Sequence, residues 1–131
     1  MVLVTACSNS PELQVEEEID CWGPQVPFFS QRGSAWSGDP MGSSSRTIGD
    51  SGCLITSITM ALNYYGLYVT PRDFNNWLGS HGGYDGGANF QYGNLVRDYS
   101  GGIVWGEENY NPDLESLIDQ GYPVVARTDW G

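Results

Sequence analysis

The sequence is short of basic residues: five Lys and Arg stand against sixteen Asp and Glu, giving a formal net charge of −11. A surface of that sign repels phosphate backbones, so nucleic acid is not expected as the main partner, and solubility is favoured. Charged residues of both signs make up only 16% of the chain beside 18 glycines, which argues against a helical bundle or coiled coil and for a loop-rich mixed fold. No apolar run is long enough to span a bilayer. Histidine occurs once, at His81, and cysteine three times, at Cys7, Cys21 and Cys53, with no CxxC pair and no histidine close by. That argues against a structural zinc site, and no metal or other cofactor is expected. An odd cysteine count leaves at least one thiol unpaired. In an exported protein Cys7 and Cys21 can form a disulfide, unless Cys7 is modified and Cys21 is left alone.

What is present suits one modest domain: 131 residues, 40% of them hydrophobic and 13% aromatic, can bury a single core. The opening MVLVTACSNS is a short apolar run that ends in small residues and a cysteine. Val4-Thr5-Ala6-Cys7 resembles a bacterial lipobox, in which the cysteine thiol receives lipid, so residues 1–7 read as the remnant of a lipoprotein signal and Cys7 as a lipidation site. The run lacks a basic start and is shorter than a signal core, so on this reading either Met1 is an internal start or residues are missing ahead of it. Residues 8–24 are polar and acidic, as a tether would be, and residues 25–131 form the expected folded domain.

Within that domain QVPFFSQ, from Gln25 to Gln31, reads as a short strand-like run, followed by a Gly/Ser-rich loop from Arg32 to about Gly49. Leu54, Ile55, Ile58, Ala61, Leu62 and Tyr65 recur at helical spacing, with Thr56, Ser57, Thr59 and Asn63 falling elsewhere. This predicts an amphipathic helix capped by Asp50 or Ser51 and ended at Gly66. Thr70-Pro71 opens a second helix through Trp77 and Leu78. Further helices are predicted over Gln91–Tyr99 and, opened by Asn111-Pro112, up to Gly121. Strands are expected at Ile103–Trp105 and, most clearly, at Tyr122–Thr128.

Two nucleophiles stand two residues apart in TIGDSGCLITSITMALNYYG, at Ser51 and Cys53. GDSG is the tetrapeptide around the serine of chymotrypsin-like proteases, but there the base histidine precedes the serine, and none does so here. A thiol in the first turn of a helix faces the partial positive charge of unpaired N–H groups, which favours the thiolate. The Cys53 N–H can point at a developing oxyanion, and Gly52 leaves room for a substrate to approach the backbone. A buried, inert cysteine at a helix start is the plain alternative.

VPFFSQ, then TIGDSGCLITSITMALNYYG, VTPRDFNNWL and LIDQGYPVVA together resemble the bacteriocin-processing, double-glycine-peptidase-like family of papain-fold cysteine peptidases. The resemblance covers most of Gln25 to Gly131 and implies an α+β papain-like fold, its helical part followed by the first strands of the sheet. It also implies Cys53 as nucleophile and Gln31 as side-chain donor to the oxyanion hole, a role a neutral amide fills without competing for the proton that the base must take. The family's base histidine belongs shortly after PVVA, where the sequence reaches Trp130-Gly131, so the chain reads as cut short before its base. His81 lies in HGGYDGG between helices, where a surface or turn role is the better reading; turn or solvation roles also suit Asp85 and Asp129.

The leading expectation is therefore a thiol hydrolase of peptide or amide bonds acting on a peptide or protein substrate, with cell-wall peptide one such substrate. Its place would be the bacterial envelope, lipid-anchored through Cys7, or outside the cell. Specificity would lie in the loops Ser34–Ser45 and His81–Phe90. The competing class is a non-catalytic peptide- or glycan-binding module whose groove is lined by Trp36, Trp77, Tyr84, Phe90, Tyr92 and Trp105.

Overall fold

The computed structural model describes residues 2–5, 7–8, 25–84, 94–104 and 113–127. Its centre is the helix after the GDSG sequence. Thr47 starts it with a capping box: its hydroxyl accepts from the Asp50 N–H, and the Asp50 carboxylate accepts from the Thr47 N–H. One short turn, α1 (Ile48–Ser51), leads through Gly52 into α2 (Cys53–Tyr64). The expected cap at Asp50 or Ser51 is thus corrected. Asp50 closes a box that belongs to Thr47, while the Ser51 hydroxyl accepts from the Arg46 guanidinium at 3.0 Å.

The amphipathic reading of α2 is half right. Ile55, Ile58, Ala61 and Leu62 are buried as expected, but so are Thr56, Ser57 and Thr59, because α3, β1, β3 and β4 all contact the helix. A helix enclosed in this way has no solvated face for its small polar residues. Thr59 turns its hydroxyl back onto the Ile55 carbonyl at 2.7 Å, and Asn63 ties the last turn to the Val69 carbonyl at 2.7 Å. Gly66, at φ +90°, then reverses the chain, as its lack of a Cβ allows.

Helix α3 (Pro71–Ser80) has the predicted form, with proline in its first turn and a Thr70–Asp73 capping box. It lays Phe74 and Leu78 against α2, and with Met41, Ile48, Ile55, Ile58, Leu62 and Val96 they form the core. Each such side chain contributes about 1.5–3 kcal/mol by leaving water. Helix α4 (Asn94–Tyr99) supplies Val96, and the remainder of the predicted helix, residues 91–93, lies outside the described residues.

The strand predicted at Ile103–Trp105 does not form at Ile103 and Val104, and Trp105 lies outside the described residues. Gly101 and Gly102 take φ +65° and +87°, and the Ser100 hydroxyl accepts from the Val104 N–H at 3.0 Å, so the chain curls into a turn. Helix α5 (Leu114–Asp119) is capped by the Asp113 side chain, so it starts later than the Asn111-Pro112 start expected; those two residues lie outside the described ones. The last strand, β4 (Val124–Arg127), is shorter than predicted, because the Tyr122 N–H still bonds the Leu117 carbonyl at 3.0 Å in the helix end. Residue 128 is outside the described set.

Strand content is small. β1 (Val2–Thr5) runs antiparallel to β4 with Val2 opposite Arg127, and β2 (Cys7–Ser8) pairs in parallel with β3 (Gln25–Val26). From Pro27 to Gln31 the strand-like run is irregular rather than extended in a sheet. Among the described residues no helix is long and apolar enough to cross a membrane.

Candidate active site

Cys53 is the first residue of α2 and is partly exposed, with a free thiol. Gly52 breaks the backbone ladder immediately before it. The last bond of α1 runs from the Gly52 N–H to the Ile48 carbonyl at 2.8 Å, and α2 opens with the Thr56 N–H on the Gly52 carbonyl at 2.9 Å. Between these bonds the N–H groups of Cys53, Leu54 and Ile55 stand outside the helical ladder, which gathers partial positive charge around the thiol.

The reason for glycine at position 52 differs from the one expected. Gly52 is buried, and a Cβ there would lie 2.6 Å from both the Cγ2 and the carbonyl oxygen of Ile48. Close packing of the broken turn onto Ile48, side chain and backbone alike, is enough to exclude a side chain there.

In an unbroken helix the Gly49 carbonyl would accept from the Cys53 N–H. Here it accepts instead from Gln31 Nε2 at 3.1 Å and Arg32 Nε at 3.2 Å. The structure thus brings Gln31 against the turn that leads into Cys53. One amide hydrogen of Gln31 is engaged there, leaving the second for another acceptor.

The loop around Gln31 is held from several sides. Ser37 donates its hydroxyl to the Gln31 carbonyl at 2.9 Å, and the Ser37 carbonyl accepts the Gly49 N–H at 2.8 Å. Trp36 donates its indole N–H to the Ser30 carbonyl at 2.8 Å and meets the Phe29 ring edge-on at 5.6 Å. Arg72 reaches over from α3 to pair with Asp39 at 2.6 Å and to donate to the Ala35 carbonyl. That guanidinium, chiefly through its hydrogen bond, holds the Asp39 carboxyl below the usual carboxylate range. The Gly/Ser-rich loop from Arg32 to Gly49, whose composition suits either a flexible surface loop or a functional one, is held by these bonds against the turn before Cys53.

His81 is not brought to Cys53 by any hydrogen bond. It caps the end of α3, exposed, with its ring stacked on Trp77 at 4.1 Å and Nδ1 within 2.8 Å of the Trp77 carbonyl and 2.9 Å of Ser80 Oγ. Trp36, Trp77 and Tyr84 pack at the edge of the core, as half of the proposed groove lining, whereas Phe90, Tyr92 and Trp105 lie outside the described residues. Asp85, Asp129 and Cys21 also fall outside them, and Cys7 is described only as backbone of β2. Among the described residues no three His, Cys, Asp or Glu side chains converge on a point where a metal would sit.

Sequence reasoning missed Thr47, Ser37 and Gly49. The Thr-x-x-Asp spacing from Thr47 to Asp50 was a readable signal for the cap. Ser37 and Gly49 act through main-chain contacts, for which a Gly/Ser-rich loop gives no pattern.

Neither a search of curated proteins nor one of solved structures returned a match. A family model does match, over residues 24–131, a span that starts just before β3 and takes in α2, the docked Gln31 loop and every later element. With most of its length matched, the chain belongs to the Peptidase_C39 like family.

Proposed function

We propose that this domain is a papain-like thiol hydrolase that cleaves peptide or other amide bonds through an acyl-enzyme on Cys53. The observation that carries the reading is the docking of the Gln31 amide on Gly49, beside a helix that begins at a partly exposed cysteine. In the reaction the Cys53 sulfur attacks the substrate carbonyl carbon, and the carbonyl electron pair moves to oxygen. The second N–H of Gln31 and the Cys53 N–H then stabilise that oxyanion. Collapse of the tetrahedral species expels the amine, which takes up the proton that the Cys53 thiol gave up, and water later cleaves the thioester to the acid and restores the thiol. His81 is engaged with Trp77 and Ser80 rather than with Cys53, so no described residue stands as the general base.

The same observation on His81 favours a second reading, a binding module for peptides or glycans that keeps the cleft without turnover. A p-nitrophenyl ester separates the two, because p-nitrophenolate leaves without a proton. Under the hydrolase reading Cys53 becomes acylated, seen as a burst of nitrophenolate and an acyl mass on the Cys53 peptide, and Cys53→Ala abolishes both. Acylation absent at Cys53, or no greater there than at other nucleophiles, overturns that reading.

A further inference from the structure

Gln31, Ser37 and Gly49 form a closed ring of three hydrogen bonds. The Ser37 hydroxyl holds the Gln31 main-chain carbonyl at 2.9 Å, the Ser37 carbonyl holds the Gly49 N–H at 2.8 Å, and the Gly49 carbonyl holds the Gln31 side-chain amide at 3.1 Å. The Gln31 side chain is thereby fixed directly to the turn that leads into Cys53, and its backbone is fixed to the same turn through Ser37. The Ser37 hydroxyl has a single hydrogen, and its donation to Gln31 sets the remaining contacts. The Ser34 N–H donates to Ser37 Oγ at 2.9 Å, and Ser34 Oγ, also at 2.9 Å, is then the donor of the pair. With its hydrogen on the Gln31 carbonyl, Ser37 Oγ accepts from both Ser34 groups, so all its contacts are satisfied together. There is also no slack in the ring, since a Cβ on Gly49 would lie 2.9 Å from the Ser37 carbonyl oxygen.

We infer that Ser37 is a positioning residue for the oxyanion donor: its hydroxyl fixes where Gln31 presents its second N–H. The inference rests on the hydrolase reading of Cys53 and Gln31. Ser37 touches no reacting atom; it acts through Gln31. An oxyanion donor is effective only when held where the charge develops, and displacement by about 1 Å can cost up to a hundredfold in rate.

The test compares two reactions of the same thiol in the full chain. With p-nitrophenyl acetate the Cys53 thiolate attacks the carbonyl carbon, a C–S bond forms through an oxyanion, the C–O bond breaks and p-nitrophenolate leaves. With iodoacetamide the thiolate displaces iodide at carbon, and no oxyanion forms. Ser37→Ala is expected to slow acylation about tenfold and leave alkylation unchanged, with Ser37→Thr restoring acylation. Gln31→Ala is expected to slow acylation about a hundredfold. Adding Ser37→Ala to Gln31→Ala should cause no further loss, because the residue it acts through is gone. An equal further loss in the double variant, or a parallel fall in alkylation, overturns the positioning role and leaves the hydrolase reading standing. If Cys53 of the unaltered protein is alkylated but never acylated, the hydrolase reading fails and the role of Ser37 falls with it.

Discussion

Tyr84 donates its phenol to the Oδ1 of Asn75 at 2.5 Å, and the amide nitrogen of the same Asn75 donates to the Pro40 carbonyl at 2.9 Å. Asn75 is only 4% exposed and lies on α3, so one buried amide joins the Arg32–Gly49 loop to the chain beyond α3. Replacing it with alanine removes two hydrogen bonds together, one from the Pro40 carbonyl and one from the half-buried Tyr84 phenol. Asn75→Ala should cost about 3 kcal/mol, read from urea or thermal unfolding.

The half-buried phenol of Tyr84 is pushed well above its ordinary value by desolvation. The folded state therefore holds that proton more tightly than the unfolded one. Its contribution to stability is complete below about pH 10 and is lost as pH rises towards the folded value. Tyr65 and Tyr99 shift in the same direction, so the informative quantity is a difference. Tyr84→Phe should flatten the alkaline fall in stability, measured as unfolding midpoints across rising pH.

For Asp39 the sign is opposite. Its carboxyl is held low by Arg72, so the stabilisation is complete above about pH 4 and disappears as pH drops through the depressed folded value. Arg72→Ala should be less stable than the parent at neutral pH, and the gap should close in acid. A gap that persists unchanged in acid would assign the effect of Arg72 to its bond with the Ala35 carbonyl rather than to the ion pair.

Gly52 and Thr56 make a contrasting pair on the same helix. At Gly52 an added methyl meets Ile48 at 2.6 Å, and Gly52→Ala should destabilise by about 1–3 kcal/mol and alter the reactivity of Cys53. Thr56 is 3% exposed with a hydroxyl that finds no hydrogen-bond partner among the described residues. Thr56→Val, which keeps the shape and removes the orphan, should raise stability by about 1 kcal/mol.

The sequence carried α2 and α3 because their signals are local: apolar spacing, a Thr-Pro start and a terminal glycine lie within the elements themselves. It carried Cys53 and Gln31 as candidates through a residue pattern, and the structure places them on adjoining segments. The strand at Ile103–Val104 failed because its β-branched residues follow two glycines at positive φ and a serine that bonds back on the turn. Burial of Thr56, Ser57 and Thr59 was also out of reach, since it depends on neighbours brought from both ends of the described chain. The Ser37 ring was invisible for a related reason: it joins residues far apart in sequence through main-chain atoms whose chemistry is the same at every position.

That last property has a consequence for how this region tolerates genetic change. Gln31 and Arg32 on Gly49, Trp36 on Ser30, Ser37 on Gln31, Ser44 on Met41 and Asn75 on Pro40 all end on a peptide carbonyl. A substitution at an acceptor position leaves its oxygen in place, so outside Gly49, where a Cβ would meet the Ser37 carbonyl, the bonds are vulnerable chiefly at the donor codon. Side-chain identity at Ser30 can drift without removing the oxygen that the network uses, whereas at Trp36, Ser37 and Asn75 any residue without a side-chain donor loses the bond.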